Sequence, residues 1–475
     1  MPTSTVREND STLRAAESRR ADEDVRRPDA RRALPAVWRH FVVEFLGRGG
    51  MIHYAYQFCR GLAAQGAEVT LVTESDYELA HLPHNFKVET IIRLWNTRPA
   101  GAVEWSSSLA ARLKRALRRT VRAAMYYREW WRLVRHLERA RPDVVQFGEI
   151  RFATDLLPLM WLRSKGLRLV DVCHNVAPFN ISPDSTALVK TSGFDRAAFR
   201  RIYSCFSDIF VHSEVNRREF LRLYGGDASR VHVIPHGNER VFIGDEMKAD
   251  ESAGRSAQEP QSKQDAQREQ IELLRSVPER VPVVLFFGTL TKYKGLEYLI
   301  DAFAGVKRAV PASHLIIAGY PNPDVDIEFL QTRARELGIA DAVTFHLQYV
   351  PLEDVAALFE RAHVVVFPYL MIYQSGALQV AYSFGKPVVA TDVGGLSEAV
   401  KHDETGLLVP PRDAAKLSEA LIALLNDEPR ARRMGAHARE LSETIYSWDG
   451  IARRVMVALR TEDAPDTRDE EGERE

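Results

Sequence analysis

AHVVVFPYLMIYQSGALQVAYSFGKPVVATDVGGLSE, residues 362–398, compresses a strand, a loop, a helix, a second strand and a Gly-Gly turn into under forty positions. Residues 363–367 and 387–390 are short β-rich runs that read as strands. Between them Gln374-Ser375-Gly376 opens a helical segment. The first backbone N–H groups of a helix have no intrahelical partner. Those donors and the helix dipole together favour a phosphate, which makes Gln374, Ser375, Gly376 and Ala377 a candidate anion site. Elements this dense are expected where a ligand meets a parallel sheet.

The 475 residues allow two domains, since single cores stop growing at roughly 250–300 residues. Sixty-five acids against 64 bases leave a net charge of −1, so no global field argues for nucleic acid. Cys59, Cys173 and Cys205 are scattered, odd in number and without metal-ligand spacing, which suits a reducing compartment. Residues 1–35 alternate Arg with Asp/Glu and lack an apolar core, so a disordered leader is expected rather than a signal peptide. The Arg pairs at 19–20 and 26–27 precede no hydrophobic segment, which argues against twin-Arg export. No run of roughly 18–20 apolar residues occurs, and a cytoplasmic protein is expected.

Residues 38–46 read as a buried strand ending in Gly47-Arg48-Gly49-Gly50. A helix with Tyr54, Phe58 and Leu62 on its core face follows, then a strand at 68–73. This β–turn–α–β start puts the turn at the carboxyl edge of a parallel sheet, although its glycines miss the G-x-G-x-x-G spacing of dinucleotide sites. Further strands are expected at 143–147, 168–173, 208–212 and 231–234. Residues 244–279 are largely polar and read as a linker. A second strand–helix series then runs through 282–287, 315–318, 343–345, 363–367, 387–391 and 407–409. Two doubly wound, Rossmann-like α/β domains, 36–243 and 280–445, leave one natural ligand site, the cleft between their carboxyl edges. An acidic tail, 461–475, reads as disordered.

Residues 110–141 carry eleven Lys/Arg against two Glu, with Leu113, Leu117, Val121 and Met125 at fours, then Tyr126, Tyr127, Trp130 and Trp131. One reading is a long surface helix with its apolar stripe on the domain. The other is a basic amphipathic helix that makes peripheral contact with an anionic membrane.

Ten stretches in order resemble the family 4 (group 1) glycosyltransferases of the GT-B fold. They include GRGGMIHYAYQFCRGLAAQGAEVTLVT, PDVVQFGE, VDVCHNVAP, VHVIPHGNERVF, FFGTLTKYKGLEYLIDAF, HLIIAGYP and FGKPVVATDVGGLSEAV. The resemblance implies retaining, metal-independent transfer of a hexose from a nucleotide diphosphate sugar, UDP- or GDP-linked, to a glycan or lipid-linked acceptor, with no cofactor. It places the donor on the second domain and the acceptor on the first, with a last helix, 446–460, crossing back. It also implies His174 near the reacting bond and Lys294 on the leaving diphosphate, where a cation stabilises developing charge. Gly288, Thr289, Lys292 and Glu398 join the donor side, and Gly49, Gly50 and His53 the acceptor side. The family's Arg five residues before that Lys is replaced here by Thr289, and Lys292 is the substitute cation.

One departure stands at the centre. The family's E-x7-E acids fall on Ile372 and Val380, and no Asp or Glu occurs from Arg361 to Thr391. Pro368 and Gly385 are seventeen residues apart, as in the family, so no insertion hides the acids. Gln374 and Ser375 are the nearest polar replacements, and an amide oxygen accepts hydrogen bonds without neutralising charge. Two outcomes follow: an enzyme that orients its donor through Gln374-Ser375-Gly376 and Lys294, or an inactive protein that binds a sugar nucleotide or a partner transferase. Asp324-Val325-Asp326 spells a D-x-D metal motif, but it sits where Asp commonly caps a helix, and no metal is expected.

Overall fold

The computed structural model of the chain describes residues 34–94, 109–150, 152–176, 193–243 and 280–460, together with Leu274 and Val277. The expected leader up to residue 33, the acidic tail, and nearly all of the expected linker lie outside the described residues.

Seven strands form the first sheet: β1 (Arg39–Val43), β2 (Glu68–Glu74), β3 (Lys87–Ile92), β4 (Val144–Phe147), β5 (Arg168–Val172), β6 (Asp208–Val211) and β7 (Val231–Val233). Their order is β3-β2-β1-β4-β5-β6-β7, with every pairing parallel. Six strands form the second: β8 (Val283–Phe287), β9 (His314–Ala318), β10 (Val343–His346), β11 (Val364–Phe367), β12 (Val388–Thr391) and β13 (Gly406–Val409). That sheet is also parallel, ordered β10-β9-β8-β11-β12-β13. Both orders reverse direction beside their first strand, between β1 and β4 and between β8 and β11. Ligands of open α/β sheets bind outside the carboxyl ends at such switch points.

Parallel sheets are covered on both faces, so their strands read as continuous apolar runs such as VVLFF in β8 and VVVF in β11, nearly all buried. The period of two sorts the first sheet's residues to opposite sides. Val42 belongs to one core cluster, and Phe41 and Val43 to the other. Strand β3 escapes the sequence reading because its KVETII is mixed and mostly half-exposed, as edge strands are.

The helix Gly50–Ala64 buries Tyr54, Phe58 and Leu62 as its spacing predicts, and His53 and Gln57 as well. His53 is covered by Phe242 and Gln57 meets Glu239, while the last helix, Trp448–Arg460, joins the apolar cluster of Tyr54, Phe58 and Leu62 through Trp448, Ile451, Val455 and Met456. Gly61 permits the crossing, because a Cβ there would stand 2.8 Å from the Trp448 carbonyl oxygen.

The basic helix spans Leu109–Ala140, and its apolar stripe divides. Trp130, Leu133, Val134 and Leu137 are buried, whereas Leu117 is 65% exposed and Val121 37%. Beside its packed half, Tyr126 meets Phe152 and Trp131 meets Trp161 at ring separations of 5.3 and 6.0 Å. Among the described residues no helix is long and apolar enough to cross a membrane.

Candidate functional site

Lys294 is delivered by backbone that only glycine allows. Strand β8 ends at Gly288, with φ 117°, and a Cβ on Gly319 after β9 would lie 2.1 Å from the Gly288 carbonyl oxygen. A tight turn, Lys292–Lys294, ends at Gly295 in the left-handed region, φ 64°, where a Cβ would meet the Pro368 oxygen at 2.1 Å. The turn therefore packs on the end of β11, with Leu370 N–H donating to the Tyr293 carbonyl at 2.7 Å. Lys294 is folded back into the protein, 7% exposed, with its ammonium 5.9 Å from the Phe286 ring and 5.4 Å from that of Tyr369. None of the described acids pairs with it. Burial lowers its pKa from 10.5 to about 8.

The helix Gly376–Ser383 points its start at the same place. Ser375 caps it, accepting from Leu378 N–H at 3.3 Å. A Cβ on Gly288 would sit 3.1 Å from the Lys294 ammonium and 3.9 Å from the Ala377 Cβ. A buried cation and the positive end of a helix thus converge over one glycine, a combination that suits an anion. Gln374 lies in the approach, and its buried Oε1 has no hydrogen-bond partner. Ile372 and Val380, where acids were expected, are buried in the apolar core. The Gly394-Gly395 turn closes over Ile372, with Gly395 N–H on the Ile372 oxygen at 3.2 Å.

From the other sheet, the ends of β5, β6 and β7 bring His174, His212 and His236 together around Tyr54, with ring separations of 4.5, 5.6 and 5.1 Å. The contacts assign the tautomers. His212 Nδ1 faces the Ile234 carbonyl at 3.2 Å and so carries the proton. Its Nε2 is then an acceptor, and His174 Nδ1–H donates to it at 3.0 Å. That leaves His174 Nε2 as a buried acceptor without a partner. Burial holds His174 well below 6.5 and takes His212 to about 3 and His236 to about 4, so the rings stay neutral near pH 7.

The loop after β7 reaches the helix start. The point where a Gly376 Cβ would stand is 3.7 Å from Glu239 Oε1 and 3.8 Å from His236 Nε2. Glu239 is buried; its Oε2 accepts from Gln57 Nε2 at 2.8 Å, and its N–H donates to Ser383 Oγ at 3.2 Å.

Lys294, Gly288, Gln374, Ser375, Gly376 and Ala377 are therefore brought together. Other residues singled out in the sequence are not. Thr289 is exposed, and Lys292 gives its N–H to Asp324 at 3.1 Å. Asp326 caps the helix Ile327–Glu336 through Phe329 N–H, which accounts for the D-x-D pair. Glu398 accepts from Glu214 and Val215 N–H in the other half. His53 and Gly49 N–H both meet Glu78 Oε1 at 2.7 Å, while Gly50 faces open space. His212, His236, Gln57 and Glu239 were not found in the sequence. The available signal was the recurrence of His just past three successive strands.

Two parallel-sheet halves meeting across a cleft at their switch points define a GT-B fold. Sucrose-phosphate synthase from Thermosynechococcus elongatus shares it, with a TM-score of 0.62 and 21% identity over 89% of this chain and 98% of that one. The description "Glycosyltransferase Family 4" matches residues 48–239 and "Glycosyl transferases group 1" residues 268–441. The chain belongs to the family 4, group 1 glycosyltransferases. It is 34% identical to the D-inositol 3-phosphate glycosyltransferase of Nocardia farcinica over 51% of each chain. Its namesake from Xylanimonas cellulosilytica is 26% identical over 86% of this chain and 90% of its own. A GDP-mannose-dependent α-(1-6)-phosphatidylinositol monomannoside mannosyltransferase of Mycobacterium tuberculosis is 32% identical over 38% of this chain and 48% of that one. Against the first and third of these relatives, the chain spans about half of their length.

Proposed function

We propose that the chain transfers a hexose with retention, without a metal, from a UDP- or GDP-sugar to a hydroxyl of a glycan or lipid-linked acceptor. The donor sits on 280–445 and the acceptor on 36–243. The observation that carries this reading is the buried, acid-free Lys294 ammonium against the start of the Gly376–Ser383 helix. The bond from the anomeric carbon to the diphosphate oxygen breaks with its electron pair on that oxygen. Lys294 and the helix N–H groups stabilise the charge. The acceptor oxygen forms the new bond on the same face and passes its proton to the departing phosphate oxygen. His174 Nε2 accepts a hydrogen bond from a sugar hydroxyl, and Gln374 Oε1 accepts another where the family's acid is missing. The named relatives support a nucleotide-sugar donor, and one of them acts on a phosphatidylinositol mannoside.

The basic helix supports a peripheral position on anionic lipid. Leu117 and Val121 stand exposed near Arg118 and Arg122, and Phe152, Leu157, Met160 and Trp161 add exposed apolar surface near its packed half. A second reading, a sugar-nucleotide binder without turnover, is favoured by Ile372 and Val380.

The deciding experiment measures the melting temperature with UDP, GDP and ADP, since a specific ligand stabilises the folded state by mass action. It then assays hydrolysis and transfer with the sugars of the nucleotide that binds. Binding without turnover on any acceptor favours the second reading, and no binding overturns both.

A further inference from the structure

The start of the Gly376–Ser383 helix is met from two sides, by Lys294 from its own half and by Glu239 from the other. A carboxylate is at first sight misplaced there, because it would repel the phosphate that the lysine and the helix attract. Its surroundings resolve the conflict.

Glu239 is 4% exposed and has no cation within ion-pair distance among the described residues. Gln57 Nε2 donates to its Oε2 at 2.8 Å, and an amide N–H fixes that oxygen as the acceptor. If the group holds a proton, the proton is on Oε1, and Oε1 is the oxygen 3.7 Å from the Gly376 Cβ position. Lys294, on the other side of the helix start, makes no ion pair with it, and the remaining neighbours supply no charge that would ionise it. His236 is neutral by burial, and burial pushes the Tyr54 phenol up, out of the neutral range. On its own loop, Arg240 turns away to Glu443 at 3.7 Å. Asn238 is occupied by Ser442, Tyr446 and Trp448. Burial takes the Glu239 carboxyl from 4.5 to about 8.

We propose that Glu239, carried across the cleft, is a neutral hydrogen-bond donor from Oε1 to a diphosphate oxygen held at the start of the Gly376–Ser383 helix. This rests on the transferase reading and deepens it. The other half of the protein thereby recognises the anion without adding negative charge, and the contact forms only when the halves are together. A bound diphosphate further disfavours ionisation, so nucleotide binding above pH 8 draws a proton onto this carboxyl.

The test is isothermal titration of UDP and GDP between pH 6.5 and 9.5, in buffers of different ionisation enthalpy, with the full chain and its E239A and E239Q variants. E239A is expected to bind about tenfold more weakly near pH 7. E239Q, whose amide accepts from Gln57 and donates toward the anion, is expected to rescue most of that loss. It is also expected to take up fewer protons than the natural chain above pH 8. Lys294 contributes an uptake of its own, and the difference between the two proteins isolates Glu239. E239Q as weak as E239A, or proton uptake unchanged in E239Q, overturns the proposal while leaving the transferase reading intact. No binding of either nucleotide by the natural chain overturns both.

Discussion

Glu398 in the second half of the chain accepts a hydrogen bond from the Val215 backbone N–H in the first, at 2.7 Å, and its other oxygen takes Glu214 N–H at 2.9 Å. The carboxylate thus caps the helix Glu214–Tyr224 from across the cleft, alongside Ser213, which takes Asn216 N–H at 3.1 Å. Asn216 returns the contact by donating to the Tyr373 carbonyl at 3.2 Å. An acid expected at the donor also joins the two halves.

Glu398→Ala is therefore expected to lower stability by about 1 kcal/mol, the usual cost of a lost helix cap. It should also enlarge the nucleotide-free protein in solution scattering as the halves separate more often. A melting curve and a scattering profile that both match the natural chain would remove the clasp.

Lys294→Met should separate stability from function. The buried ammonium is harder to charge in the folded state, with its pKa lowered from 10.5 to about 8. Between those values the unfolded chain binds more protons, so this group's contribution to stability rises with pH across that window. Methionine removes the penalty and should stabilise the ligand-free protein at pH 7 by at most about 3 kcal/mol, a gain that vanishes near pH 10.5. Turnover should fall about 10²–10³-fold, as when one donor to a developing anion is lost. Thermal melts across pH and a donor-hydrolysis assay check both. A variant that is less stable at pH 7 yet fully active would refute the assignment.

How much of this was legible in the sequence depends on what each residue answers to. The buried strands were, because VVLFF and VVVF have one stable environment in a covered parallel sheet. Lys294 was singled out through the resemblance of the stretch around KG, and what the fold adds is its burial behind Gly295, where a Cβ would meet the Pro368 oxygen at 2.1 Å. Glu239 was not, since its place at Gly376 depends on how two sheets meet, and nothing in HGNER encodes that distance. Glu398 was placed on the donor side by the resemblance alone, and the sequence does not show that its helix also borders the other half. His212 was missed because its partner is 38 residues away, just past the neighbouring strand.

The exposed Leu117 and Val121, with the apolar surface around Trp161, should bring the chain to lipid. Sedimentation with vesicles of one-third anionic lipid is expected to pull the protein down at low salt and release it as salt screens the Arg charges. Leu117→Glu with Val121→Glu should abolish the effect without shifting the melt. Equal sedimentation with neutral vesicles, or none with either, would refute the contact.

The three histidines around Tyr54 make acid sensitivity a property of the site. Each is held neutral in the fold, with His212 at about 3 and His236 at about 4 against 6.5. The unfolded chain therefore binds more protons between about pH 4 and 6.5, and stability should fall as pH drops through that window. His236→Gln should flatten the fall in urea melts by up to about 1.4 kcal/mol for each pH unit. A parallel curve would mean that His236 titrates normally.

Asp171 works in the opposite direction. It lies on β5, 1% exposed, with an Oδ1 that has no hydrogen-bond partner. Burial raises its pKa from 3.8 to about 8, with Glu149 adding to the shift. The folded chain then holds a proton that the unfolded chain has released, so the contribution to stability is full below pH 3.8 and is lost as pH rises to 8. Asp171→Asn keeps the shape and removes the titration. Relative to the natural chain it should gain up to about 1.4 kcal/mol for each pH unit between 4 and 8, most visibly in urea midpoints at pH 8. Curves that keep a constant separation across that range would show that Asp171 ionises in the fold as it does in water.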